Sequence, residues 1–211
     1  MELFHDDGGN DTGSNYDTLI KATLFAETLA DRPIPGVTMS CGAPATYEEV
    51  SKVHSKVYLN ALLHGAPEHL ASSNSLGWDD RLFGAVLAST GSVRSAVLTA
   101  MSNRTITGAT ASGLHHARRG TGAGNCTLNG LVVAALAAKA AGARRVLILD
   151  LDAHCGGGTA ELIEDVDGLM QIDISVNHFD WYESRDNAEL LVVGAEDYLE
   201  TIAESLEGVH D

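Results

Sequence analysis

Apolar positions first recur at helical spacing after Thr46. Thr46-Tyr47-Glu48-Glu49 fits the S/T-x-x-E capping box, and Val50, Val53, Val57 and Leu62 follow, which predicts a helix over about 47–63. Leu82, Val86, Val93, Val97 and Met101 predict another that closes before Asn103. Residues 105–112 are short and partly β-branched, as in a buried strand. Residues 126–141 are Ala-rich and apolar on nearly every face, which predicts a buried helix stopped by Gly142. The run RRVLILD, 144–150, reads as a strand covered on both faces. A short helix from Thr159, a strand over 168–176 and a helix over 195–207, with Tyr198, Leu199, Ile202 and Leu206 on one side, complete the pattern. Alternating strands and helices imply an α/β fold with a mainly parallel sheet. Residues 1–16, rich in Gly, Asp and Asn, read as a loop or disordered lead to a single domain over 17–211.

Charge narrows the functional classes. Thirteen Lys and Arg against 29 Asp and Glu leave a formal charge of −16, without the clustered bases that a nucleic-acid backbone requires. Residues 1–25 have neither a cationic start nor an apolar centre, and no window nears the ~18 consecutive apolar residues of a membrane span. The expectation is a cytoplasmic protein with no membrane partner. Cys41, Cys126 and Cys155 are odd in number and widely spaced, so they suggest buried thiols rather than a disulfide framework or Cys-type zinc cluster.

Unusual residues gather where strands should end, the usual place for a site in an open α/β sheet. After RRVLILD, Asp150, Asp152 and His154 alternate and face one side if the backbone stays extended. Two carboxylates and an imidazole make a half-site for Zn²⁺, Mn²⁺ or Fe²⁺, although the same residues also serve as helix caps beside a glycine turn. His115 and His116 follow the strand predicted over 105–112, and adjacent imidazoles there can supply a general base and a charged partner. The loop 120–126, GTGAGNC, lacks the spacing of a phosphate loop and reads as a pocket wall.

Together SGLHHARRG (112–120), GNCTLNGLVVAA (124–135), VLILDLDAHCGGGT (146–159) and QIDISVNHF (171–179) resemble the histone deacetylase and acetylpolyamine amidohydrolase family, in its motif order. ATYEEVSKVHSKVYLNAL (45–62) echoes an upstream family helix. The resemblance implies the three-layer α/β/α arginase-deacetylase fold and zinc-dependent hydrolysis of an acetylated lysine, polyamine or similar amine. It makes Asp152 and His154 two of three zinc ligands, and His115 and His116 the pair acting on metal-bound water. Asp150 is then the partner of His115. Asp150, Asp152, His154, Ser175 and Val176 correspond to a structural monovalent-cation site, usually potassium, and Gly124 and Asn125 to the substrate channel.

Departures from the family pattern leave alternatives open. The family's third ligand, an Asp, and its transition-state Tyr follow the helix at 195–207. The resemblance therefore implies a C-terminally incomplete domain that needs a missing segment or a partner chain. Asn125 stands where an aromatic wall is usual, which suggests a shorter or more polar acyl group. Gly157 replaces an Asp or Asn that orients the second histidine, and Cys155 replaces a second His. One alternative is a non-catalytic remnant that keeps the scaffold. Another is a manganese ureohydrolase of the arginase type, although Gly156 stands where its D-A-H-x-D motif needs a second Asp.

Overall fold

The computed structural model describes residues 1–5, 17–112 and 114–207. Among the described residues, two three-stranded parallel sheets are flanked by helices. The first has the order β2-β1-β3, from β1 (Glu2–His5), β2 (Thr38–Cys41) and β3 (Thr107–Ala109). The second has the order β4-β5-β6, from β4 (Val146–Asp150), β5 (Leu169–Ser175) and β6 (Ala188–Val192). Its register pairs Asp150 with Asp173 and Ser175 with Val192, so these polar residues collect at the carboxyl ends of the strands.

The expectation of a loop over residues 1–16 is corrected at its start. Residues 2–5 form the middle strand of the first sheet, and residues 6–16 lie outside the described residues. The hydrogen-bonding partners of β1 lie at 38–41 and 107–109, too far along the chain for a local pattern to reveal. The helix expected over 47–63 is two, α2 (Tyr47–Ser51) and α3 (Lys56–His64). Thr46 and Glu49 form the capping box of α2, while Ser55 caps α3 by accepting from the Tyr58 amide. The break turns His54 inward.

The long α5 (Leu82–Asn103) and α6 (Gly130–Ala140) pack together and join the two sheets, α5 lying on β1 and β3 and α6 on β4. By length and hydropathy α5 qualifies as a membrane span, yet here it packs within the fold, with Arg94 paired to Glu49 at 2.5 Å. The helix expected from residue 126 begins at 130, because the Asn129 side chain accepts from the Val132 amide and sets the start there. Val50, Leu59, Leu62, Leu128, Val132 and Ile163 are fully buried in the core. Each such side chain contributes about 1.5–3 kcal/mol through burial.

The short α7 (Gly157–Ile163) follows β4, and α8 (Tyr198–Leu206) lies against β5. Leu199, grouped by spacing with Tyr198, Ile202 and Leu206 on one side of α8, is 78% exposed. The remaining elements are α1 (Asp17–Asp31) and α4 (Glu68–Ala71).

Candidate active site and metal centre

Beyond the carboxyl end of β4 the chain runs through Asp152 and His154 into the glycines that open α7. The Asp150 side chain is buried, and its Oδ1 accepts from the Asp152 amide at 3.1 Å. The Asp152 Oδ1 accepts from the His154 amide at 2.9 Å and lies 3.1 Å from His154 Nδ1. Both side chains are half-exposed. Two donors bound to one tetrahedral zinc at 2.0–2.2 Å stand about 3.3 Å apart. The observed spacing fits that requirement, and a carboxylate with an imidazole is a donor set zinc accepts.

His115 and His116 lie behind this pair with ring centroids 3.9 Å apart. His115 Nδ1 is 2.8 Å from Asp150 Oδ2, and its Nε2 is 3.7 Å from Asp152 Oδ1. Burial opposes a charge on His115, but the Asp150 hydrogen bond and the nearby charges of Asp150, Asp152 and Asp173 outweigh it and raise its pKa. For Asp152, burial raises the carboxyl, while the His154 amide and the His115 and His154 rings bring it below its usual value.

His116 is held by a residue absent from the expected set. Its Nδ1 is 2.9 Å from Asp180 Oδ2, on the loop after β5. Asp180 Oδ1 accepts from Arg118 Nη2, and Arg118 Nη1 donates to Glu161 Oε2 at 2.6 Å. Burial raises the Asp180 carboxyl, but the His116 hydrogen bond and the Arg118 guanidinium hold it below the usual carboxylate value. Phe179, next to Asp180, meets the rings of His116 and His154 edge-on at 4.9 and 5.7 Å. It is 49% exposed and forms an aromatic rim.

The glycine-rich loop lies on the other side of His116. A Cβ on Gly124 would strike the His116 ring and come within 2.9 Å of Phe179 Cε1. Asn125 has φ +64° and donates its amide to the Asn74 carbonyl at 2.9 Å. Asn is among the residue types that tolerate this left-handed backbone, so local geometry accounts for its presence. Cys126 has its sulfur within 4.8 Å of ring nitrogens of both His115 and His116. Burial pushes this thiol up to about 12, so without a metal it stays protonated.

At the end of β5, Ser175 Oγ is 3.2 Å from Cys155 Sγ, and the Val176 amide donates to the Ala153 carbonyl at 3.1 Å. Asp173, also missed by sequence reasoning, is fully buried, and its Oδ2 accepts from the Gly156 amide at 2.6 Å. Burial and then the neighbouring Asp150 charge push it up to about 7. His54 is buried and does not join Asp152 and His154. Its Nδ1 meets the Arg118 carbonyl at 2.8 Å and its Nε2 accepts from the Asn129 amide at 2.9 Å, so it supports the segment that follows the histidine pair.

The fold and site define an α/β protein of parallel strands with two imidazole–carboxylate pairs beside a candidate zinc half-site. The family model described as "Histone deacetylase domain" matches residues 17–207, and the chain belongs to that family. Human histone deacetylase 1 is 31% identical over 139 residues, covering 61% of this chain and 29% of that protein. Histone deacetylase 15 of Arabidopsis thaliana is 45% identical over 60 residues, 28% of this chain and 11% of the relative. An uncharacterized protein of Picosynechococcus is 38% identical over 103 residues, 46% of this chain and 34% of its own length. The crystal structure of the HDA15 HD domain superposes with a TM-score of 0.69 at 23% identity, covering 83% of this chain and 54% of that one. The likeness shows the three-layer α/β/α arginase/deacetylase fold. The matches to these curated relatives span about a third of their length or less, and the structural match about half.

Proposed function

We propose that this chain carries the zinc half-site and histidine pair of a deacetylase that hydrolyses an acetylated lysine, polyamine or similar amine. The observation that carries the reading is the juxtaposition of two carboxylate-bound imidazoles with Asp152 and His154, whose donor atoms lie 3.1 Å apart. Asp152 and His154 would hold zinc, leaving its remaining positions to a further ligand, water and substrate. A zinc bound there supplies Lewis-acid polarisation of the acyl carbonyl and acidifies water.

The chain's own residues account for the proton movements. His116 donates Nδ1–H to Asp180, which leaves the Nε2 lone pair as the proton acceptor. Rings 3.9 Å apart disfavour two imidazolium charges, so the pair divides into one acid and one base. His115, whose protonated form is favoured by Asp150, is the donor to the departing amine. Phe179 gives the substrate an aromatic wall. Asn125 on the glycine-rich loop favours a shorter or more polar acyl group than two aromatic walls would. The formal charge of −16 suits a cationic amine carrier. Asp150 and Ser175, with the backbone carbonyls of Asp152, His154 and Val176, would hold a potassium ion that braces the loop.

The test is acetate release from an acetyl-lysine peptide and from an acetylated polyamine by the zinc-supplied protein. Turnover lost on chelation and in His154→Ala supports the reading. A folded, zinc-supplied protein that hydrolyses neither substrate above the His154→Ala level contradicts it.

A further inference from the structure

The two histidines are oriented by carboxylates from different parts of the chain. Asp150, at the end of β4, takes His115, whereas Asp180, beyond β5, takes His116. The α7 start explains how Asp180 reaches the ring. A Cβ on Gly157 would land on the Asp180 carbonyl oxygen and lie 2.8 Å from its Oδ1, so a side chain at 157 and the Asp180 loop cannot share this space. At the next position, a Cβ on Gly158 would lie 2.5 Å from the His116 carbonyl carbon. The bare Gly157-Gly158 backbone thus brings the histidine pair and the Asp180 loop onto one end of α7.

Asp180 is anchored more firmly than a chance loop carboxylate. It has φ +63°, a left-handed conformation that costs a non-glycine residue about 1–2 kcal/mol. Its side chain is only 8% exposed. Oδ2 accepts from the Gly158 amide at 3.1 Å as well as facing His116, and Oδ1 is occupied by Arg118. Arg118 is held in turn by Glu161 of α7. The loop is tied down by hydrogen bonds from the Cys155 amide to the Phe179 carbonyl at 3.0 Å and from the Phe179 amide to Asn177 Oδ1 at 2.8 Å.

We infer that Asp180, admitted by Gly157 and tethered through Arg118 to Glu161, is the positioning residue for His116. An ionised carboxylate can only accept, so it fixes His116 as the Nδ1–H tautomer with Nε2 facing the site. The residue acts through His116 and need not touch substrate. Its kinetic consequence rests on the deacetylase reading above, but the ring geometry can be tested without it.

Ring ¹⁵N spectra of the protein with labelled histidine report the tautomer directly. The expected wild-type result is Nδ1–H for His116. Asp180→Gly, which suits the left-handed backbone while deleting the carboxylate, should shift the ring toward Nε2–H. Gly157→Ala, which displaces Asp180, should produce the same shift. Asp180→Asn preserves the turn and guards against misreading a folding defect; its amide should weaken the Nδ1–H bond signature. In the deacetylase assay Asp180→Asn should lower kcat about 10- to 100-fold with KM little changed, the loss typical when an imidazole loses its orienting partner. An Nε2–H tautomer in the wild type, or a His116 spectrum unchanged in both Asp180→Gly and Gly157→Ala, overturns the inference. A wild-type protein with the expected spectrum but no turnover contradicts the deacetylase reading and leaves the assignment of Asp180 standing.

Discussion

His54 gives the account a number to meet. The ring is 1% exposed and uses both nitrogens in hydrogen bonds to backbone, donating from Nδ1 to the Arg118 carbonyl and accepting at Nε2 from the Asn129 amide. A carbonyl cannot donate and an amide N–H cannot accept, so the ring is the neutral Nδ1–H tautomer. Protonation would put an N–H against the Asn129 N–H. Burial is the main cause that brings its pKa from 6.5 to about 4, with the Arg119 charge adding to it and the Arg118 hydrogen bond opposing.

A histidine pKa depressed by folding stabilises the native state fully above pH 6.5, and that contribution is lost as pH falls toward 4. Between pH 7.5 and 4.5 the two values correspond to about 2.5 kcal/mol. The assay is urea denaturation of the wild type and of His54→Gln, whose amide can still bridge the two backbone groups but does not titrate. Taking the difference between the two proteins cancels the other titrating groups. At pH 7.5 the variant should be less stable by about 1–2 kcal/mol from poorer hydrogen bonds. By pH 4.5 its disadvantage should vanish or reverse. A stability difference that is constant with pH, or a His54 ring that titrates near 6.5 by NMR, refutes the reasoning.

Other perturbations probe the framework. Thr46→Ala should cost about 1 kcal/mol in denaturation midpoint analysis, because it removes the α2 cap. Burial raises Glu49, but Thr46 and Arg94 outweigh this and lower its pKa. The cost of Glu49→Gln should therefore be complete above pH 4.5 and shrink as pH falls through the lowered value. Gly158→Ala should destabilise by about 1–3 kcal/mol, since its Cβ meets the fixed backbone of His115 and His116. Gly84→Ala, where the new methyl meets open space within α5, should instead stabilise by about 0.5–1 kcal/mol in the same melts. Asn125→Phe should cost about 1–2 kcal/mol from its φ of +64°, read by thermal denaturation.

Sequence pattern made the second sheet more legible than the first. The β4 run is apolar up to its final Asp150 and announces itself, but β1 and β2 are four residues each with exposed or polar positions, and their partners are distant. The break between α2 and α3 did have a local signal, since Ser55 is a good N-cap, but apolar spacing runs across it and hides the change of direction. In β6 a glutamate interrupts the apolar positions and weakens the strand pattern. Around the site, spacing alone could align Asp150, Asp152 and His154 on one strand end. It could not associate His116 with Asp180, 64 residues later and after a different strand. In the sequence the triple glycine read as a turn, and as the loss of acidic residues at 156 and 157. Its bare backbone actually makes room for three groups, with Gly156 against Asp150, Gly157 against Asp180 and Gly158 against the histidine carbonyls.

The most direct test of the account is zinc content by elemental analysis after incubation with zinc and desalting, with Asp152→Ala, His154→Ala and Asp180→Asn prepared alongside and their folding checked by circular dichroism. About one zinc per chain is expected in the wild type and in Asp180→Asn, and none in the two ligand variants. A folded wild-type protein that retains no zinc, or zinc retained at the wild-type level in both Asp152→Ala and His154→Ala, would contradict the assignment of the metal centre to these two residues.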